Sequence, residues 1–172
     1  SGAMTIYLEP GVYDDGTKNP IGIENRDVVG INPVVEEETI DDEGFLKDPK
    51  QNGAYINNTP IILANNSSLE RVVLDGIDLN NFRDYDDLSS ATLSNCYITN
   101  SVSINSGKLT NVNITGCVIT NPNNTGLWLM NSETVGELKI RDNTFYGSNS
   151  AIHLWKLSGL DGGTEEDRGN NE

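Results

Sequence analysis

The chain has 172 residues, 35% of them hydrophobic, with 11 Lys and Arg against 26 Asp and Glu and a formal charge of −15. That length bounds one domain, and that charge argues against nucleic acid or an anionic membrane surface as a partner. No apolar run reaches about eighteen residues, so no membrane insertion is expected.

In chain order, residues 1–4 (SGAM) read as a cloning remnant outside the fold. A strand is predicted from Thr5 with Ile6 and Leu8 inward, then a turn at Pro10 and Gly11. Ile21, Ile23, Val28 and Ile31 carry the next strands. Residues 36–58 interrupt the pattern as an acidic insertion containing Glu36, Glu37, Glu38, Asp41, Asp42 and Glu43. A loop of that length is either a solvated excursion, pinned by Phe45, Leu46 and Tyr55, or a lid or cation-binding segment.

From Leu69 to Phe145 the chain repeats itself. LERVVLDGIDLNNF from Leu69, LSSATLSNCYITNS from Leu88, LTNVNITGCVITNP from Leu109 and VGELKIRDNTFYGS from Val135 align without gaps, with mostly apolar or small residues at positions one, four, six, nine and eleven. The alignment predicts one interior file of Val72, Ala91, Val112 and Leu138, and a second of Leu74, Leu93, Ile114 and Ile140. Alternation at period two is a half-buried strand, and each step of three turns a corner. Asp75 and Gly76, Asn95, Gly116 and Asp142 are the expected corner residues, being types that tolerate a left-handed backbone. A third strand follows at Val102 and Ile104, Leu127 and Leu129, Ile152 and Leu154, matched upstream by Ile61 and Leu63 and by Ile21 and Ile23. In the first copy FRDYDD (82–87) stands where that strand belongs, with Phe82 and Tyr85 expected over the core.

Three short strands per coil, each coil roughly 20 to 26 residues, specify an all-β parallel β-helix of about five to six coils. One coil alone is not stable. Its five to seven inward side chains contribute roughly 1.5–3 kcal/mol each, against an ordering cost of about 1–2 kcal/mol for every residue. Stacking supplies the difference.

Asn81, Asn100 and Asn121 make a turn column, with Gly147 in the fourth copy, and stacked asparagines can bond along the axis. Cys96 and Cys117 occupy equivalent positions in successive coils. Parallel Cβ vectors suit a disulfide poorly, so reduced core thiols are expected. Residues 158–172, rich in glycine and acids, read as a flexible tail or linker.

The coil pattern and asparagine column, with TIYLEPGVYDDG and IGIENRDVVGINP at the start, resemble the right-handed parallel β-helix proteins of the pectate-lyase-like superfamily. The opening coil is similar to that of its pectin methylesterases. The resemblance covers most of 5–157 and implies architecture more than activity, because enzymes, tail spikes and adhesins share the fold. Its members place a capping helix ahead of the first strand; none precedes Thr5, and excision from a longer protein is the expectation.

The family's catalytic sets are not matched. Neither Gly-His-Gly nor Arg-x-Lys occurs, and no coil brings three acids beside an arginine; Arg71 and Asp75 read as a solvated ion pair. Asp84, Asp86 and Asp87 are weak candidates for calcium, the one possible cofactor. The distinctive surface lies on the third wall. With Leu127, Leu129, Ile152 and Leu154 inward, Trp128, Met130, His153 and Trp155 point outward, and Ser103 and Asn105 extend the patch one coil earlier. Flat aromatics beside polar groups suit sugar rings or a protein contact; burial under the tail, the insertion or a neighbour is the simpler alternative. The sequence therefore points to a non-catalytic module of a secreted or surface-displayed protein. Its expected partners are a polysaccharide, a surface glycan, a protein or flanking domains. A polysaccharide lyase or hydrolase is the alternative.

Overall fold

The computed structural model describes residues 4–14, 16, 19–31, 53–80, 82, 86–121, 124–146 and 149–156. Its strands fall into six coils. The first is β1 (Met4–Leu8), β2 (Gly11–Tyr13) and β3 (Ile21–Ile23); the second is β4 (Arg26–Gly30), β5 (Ala54–Ile56) and β6 (Ile61–Leu63). The third is β7 (Ser67–Glu70), β8 (Val72–Leu74) and β9 (Ile77–Leu79). The fourth adds a short extra strand: β10 (Leu88–Ser89), β11 (Ala91–Ser94), β12 (Tyr97–Ile98) and β13 (Val102–Asn105). The fifth is β14 (Lys108–Thr110), β15 (Val112–Thr115), β16 (Val118–Thr120) and β17 (Thr125–Met130). The sixth is β18 (Glu133–Thr134), β19 (Leu138–Arg141), β20 (Thr144–Tyr146) and β21 (Ser150–Trp155).

Three six-stranded sheets form the walls, ordered β1-β4-β7-β11-β15-β19, β2-β5-β8-β12-β16-β20 and β3-β6-β9-β13-β17-β21, and a three-stranded sheet joins β10, β14 and β18. Every pairing between them is parallel, coil on coil. The core is a set of files along the axis. Ile6, Val28, Leu69, Leu93, Ile114 and Ile140 stack in the first wall. Ile23, Leu63, Leu79, Ile104, Leu129 and Leu154 stack in the third. The parallel β-helix read from the repeat is the fold of this chain.

The register of the first copy differs from the alignment by one wall. Ala91, Val112 and Leu138 share a file, but Ser67 precedes Ala91 there, not Val72. Val72 is equally buried, in the second wall beside Ala54. Leu74 likewise stacks on Ile98, while Leu93 stacks on Leu69. The cause is a sub-repeat: two inward residues and a step of three recur at every corner, so sliding one copy by a wall keeps every apolar residue inside. Ile77–Leu79 thereby becomes the third-wall strand that FRDYDD was expected to replace. Phe82 does not cover the core; it is 47% exposed, with its ring against the backbone of Gly22. Tyr85 lies outside the described residues.

The same slip moves the corners. The left-handed column is Arg71 (φ 54°), Asn95 (φ 51°), Gly116 (φ 62°) and Asp142 (φ 56°), with Arg71 where Asp75 and Gly76 were expected. The Arg71 guanidinium anchors it, donating to Gly30 O (2.9 Å) and to Glu70 Oε1 (2.9 Å). A second column unites Asn25, Asn66, Ser90 and Asn111, all near φ 52–55°. One expected asparagine rung is present, Asn121 Nδ2 to Asn100 Oδ1 at 3.2 Å. The residue beside Asn100 in the coil before is Gly76, not Asn81, which with Gly147 lies outside the described residues.

Val135, aligned with Leu88 and Leu109, is 53% exposed, because Thr134 pairs with Leu109 and takes the inward place. Leu154 is 48% exposed: it belongs to the last described strand of its sheet and has a described neighbour on one side alone. Cys96 and Cys117 are free and buried, with the Cys96 thiol pushed well above its ordinary pKa, first by burial and then by the neighbouring Cys117 thiol. β1 begins at Met4, paired with Arg26, one residue ahead of the expected start. Ala54 and Ile56, at the end of the 36–58 stretch, are core residues of β5. Residues 36–52 and 158–172 lie outside the described residues.

Candidate functional site

Strand alternation on the third wall sends every second side chain out of the core. Parallel register then aligns them along the axis. Asp78, Ser103, Trp128 and His153 form one outward file, and Asn105, Met130 and Trp155 form the next. All six residues singled out from the sequence, Ser103, Asn105, Trp128, Met130, His153 and Trp155, thus share one face. Their rungs are about 4.8 Å apart. The Trp128 and His153 rings lie 4.5 Å apart between centroids, tilted by 39°. Trp155 is 55% exposed, and Trp128, Met130 and His153 are half-buried.

The file leads into a groove of about 480 Å³, lined by Asn58, Thr59, Asp75, Asp78, Asn100, Ser101 and Ser103 among others. Sequence reasoning missed it. The spacing that links His153, Trp128 and Ser103 also reaches Asp78, and that was the available signal. Asp75 is not paired with Arg71, as the sequence reading had it. Its Oδ1 accepts the Tyr55 hydroxyl at 2.8 Å and its Oδ2 accepts the Asn58 amide at 2.8 Å, while Arg71 is held by Glu70 at 2.9 Å. Tyr55 is raised to about 12, by desolvation first and then by the hydrogen bond and charge of Asp75, with a smaller push from Asp14. Burial alone raises a phenol's pKa, and the charges of Asp75 and Asp14 act in the same direction.

A second concavity, about 530 Å³, lies at the first coil and is lined by Ile6, Leu8, Ile21, Ile23, Val28 and other apolar residues. Of the calcium candidates, Asp84 lies outside the described residues. Asp87 Oδ1 accepts the Lys108 amide at 2.9 Å, and Asp86 accepts the Gly107 amide through its backbone carbonyl. Among the described residues no three His, Cys, Asp or Glu side chains converge. No described helix is long and apolar enough to cross a membrane.

A family model described as "right handed beta helix region" matches residues 14–145. The chain belongs to the right-handed β-helix family. No curated protein and no solved structure matches it. As a right-handed β-helix, the chain carries its distinctive surface residues on a wall of stacked strands. Parallel stacking sets their spacing along the axis.

Proposed function

We propose that this right-handed β-helix is a non-catalytic binding module of a secreted or surface-displayed protein, and that its ligand is carbohydrate. Within the family we place it among the pectate-lyase-like proteins, on the strength of its opening coil, TIYLEPGVYDDG. The observation that carries the binding reading is the Trp128–His153 stack, in register with Ser103 and flanked by Met130 and Trp155. Aromatic faces take the apolar face of a sugar ring, and the serine and asparagine rungs before them offer partners to its hydroxyls. Among the described residues, the outward side chains stacked beside His153 are Trp128 and, one file over, Met130 and Trp155, without the paired carboxylates of a sugar hydrolase.

The test is retention on immobilised polysaccharides with product analysis in the same samples. Binding without new reducing or unsaturated ends is the expected result. Turnover would replace the module reading with a lyase or hydrolase. Trp128→Ala combined with Trp155→Ala should abolish retention, and unchanged retention refutes this surface as the site.

A further inference from the structure

Resting on the carbohydrate reading, we propose that the groove and the aromatic file together take an electrically neutral glycan laid along the solenoid axis, and discriminate against uronate- or sulfate-bearing chains. The geometry supplies the direction. Asp78, Ser103, Trp128 and His153 stand on four consecutive coils in one outward file, so a linear chain following it meets a new side chain about every 4.8 Å. The aromatic end offers Trp128 and His153 as a tilted pair at 4.5 Å, with Trp155 on the adjacent file. The other end opens into the polar groove of about 480 Å³ beneath Ser103.

Charge supplies the class. The groove is lined by the carboxylates of Asp75 and Asp78, and no lysine or arginine lines it among the described residues. Asp14 adds a third carboxylate nearby: its Oδ2 accepts the side-chain amides of Asn57 (3.2 Å) and Asn58 (3.3 Å). Carboxylates accept hydrogen bonds from sugar hydroxyls without a charge partner, whereas a uronate or sulfate brought beside them meets like charge in a partly desolvated cleft. The chain's charge of −15 repels a polyanion at longer range in the same sense.

The experiment compares affinity for neutral polymers (glucan, galactan, mannan, xylan) with affinity for polygalacturonate and a sulfated galactan. It is run with calcium and with chelator, on the wild-type chain, Asp78→Asn, and the Trp128→Ala, Trp155→Ala pair. At least one neutral polymer should bind about tenfold or more tightly than either acidic one. The preference should narrow at high salt and in Asp78→Asn, compared with wild type at a temperature where thermal unfolding shows both to be folded. Acidic polymers binding as well as neutral ones, with or without calcium, overturns this inference and leaves the carbohydrate reading intact. Retention of no polymer, or retention indifferent to both tryptophans, overturns both.

Discussion

Asn143 replaces a cysteine in the core and mends the wall above it: its Oδ1 accepts the Cys117 amide at 3.0 Å and its Nδ2 donates to the Ile114 carbonyl at 2.9 Å. The side chain is 0% exposed, in the file that holds Cys117 one coil earlier. A polar residue is tolerated there because both ends of its amide are satisfied.

Asn143→Ala strands a buried donor and a buried acceptor. Each unsatisfied group costs about 1–3 kcal/mol. Chemical denaturation should show a loss in that range or above it, with no change in the dependence on denaturant. A loss below measurement error would mean the amide is not bonded as described.

Leu138 and Val135 separate the true register from the gapless alignment. Leu138 is 0% exposed and Val135 is largely in solvent. Leu138→Ala should cost about 2–5 kcal/mol, and Val135→Ala should stay within about 0.5 kcal/mol of wild type. Equal losses would restore Val135 to the interior file.

Tyr55 predicts an alkaline limit on stability. Its folded-state pKa of about 12 exceeds the ordinary 10.0, so the folded chain holds that proton more tightly than the unfolded one. The resulting stabilisation is complete below pH 10.0 and is lost as pH rises toward about 12. Tyrosinate absorbance should reveal a late-titrating fraction that shrinks by one tyrosine in Tyr55→Phe. That variant should also weaken the pH dependence of unfolding between those limits. A Tyr55→Phe titration that superimposes on wild type excludes the bond to Asp75.

Both cysteines should resist thiol reagents in the native state. Cys96 and Cys117 are buried, and burial holds the Cys96 thiol in its protonated, unreactive form. Two thiols should label after unfolding. Rapid labelling of the folded chain would place at least one of them at the surface.

The fold was legible from the residues because a solenoid writes its geometry locally. Each corner is a step of three and each wall an alternating pair, both visible in LSSATLSNCYITNS without any partner. The outward set Ser103, Trp128, His153 with Asn105, Met130, Trp155 followed from the same arithmetic, since parallel stacking keeps inward and outward residues in step over successive coils. What the chain could not announce was which wall each pair of the first copy occupies. Leu69, Val72, Leu74, Ile77 and Leu79 remain inside under either placement, so hydrophobic patterning is indifferent between them. The choice rests on long-range pairing: Ser67 to Ala91, Leu69 to Leu93 and Ile77 to Val102. The groove was hidden for a similar reason. Tyr55, Asn58, Asp75 and Ser103 come from three different coils, and nothing local to any of them records that the windings above and below bring them together. Periodicity is a property of neighbours along the chain; a cleft is a property of neighbours across it, and those exist once the coils have stacked.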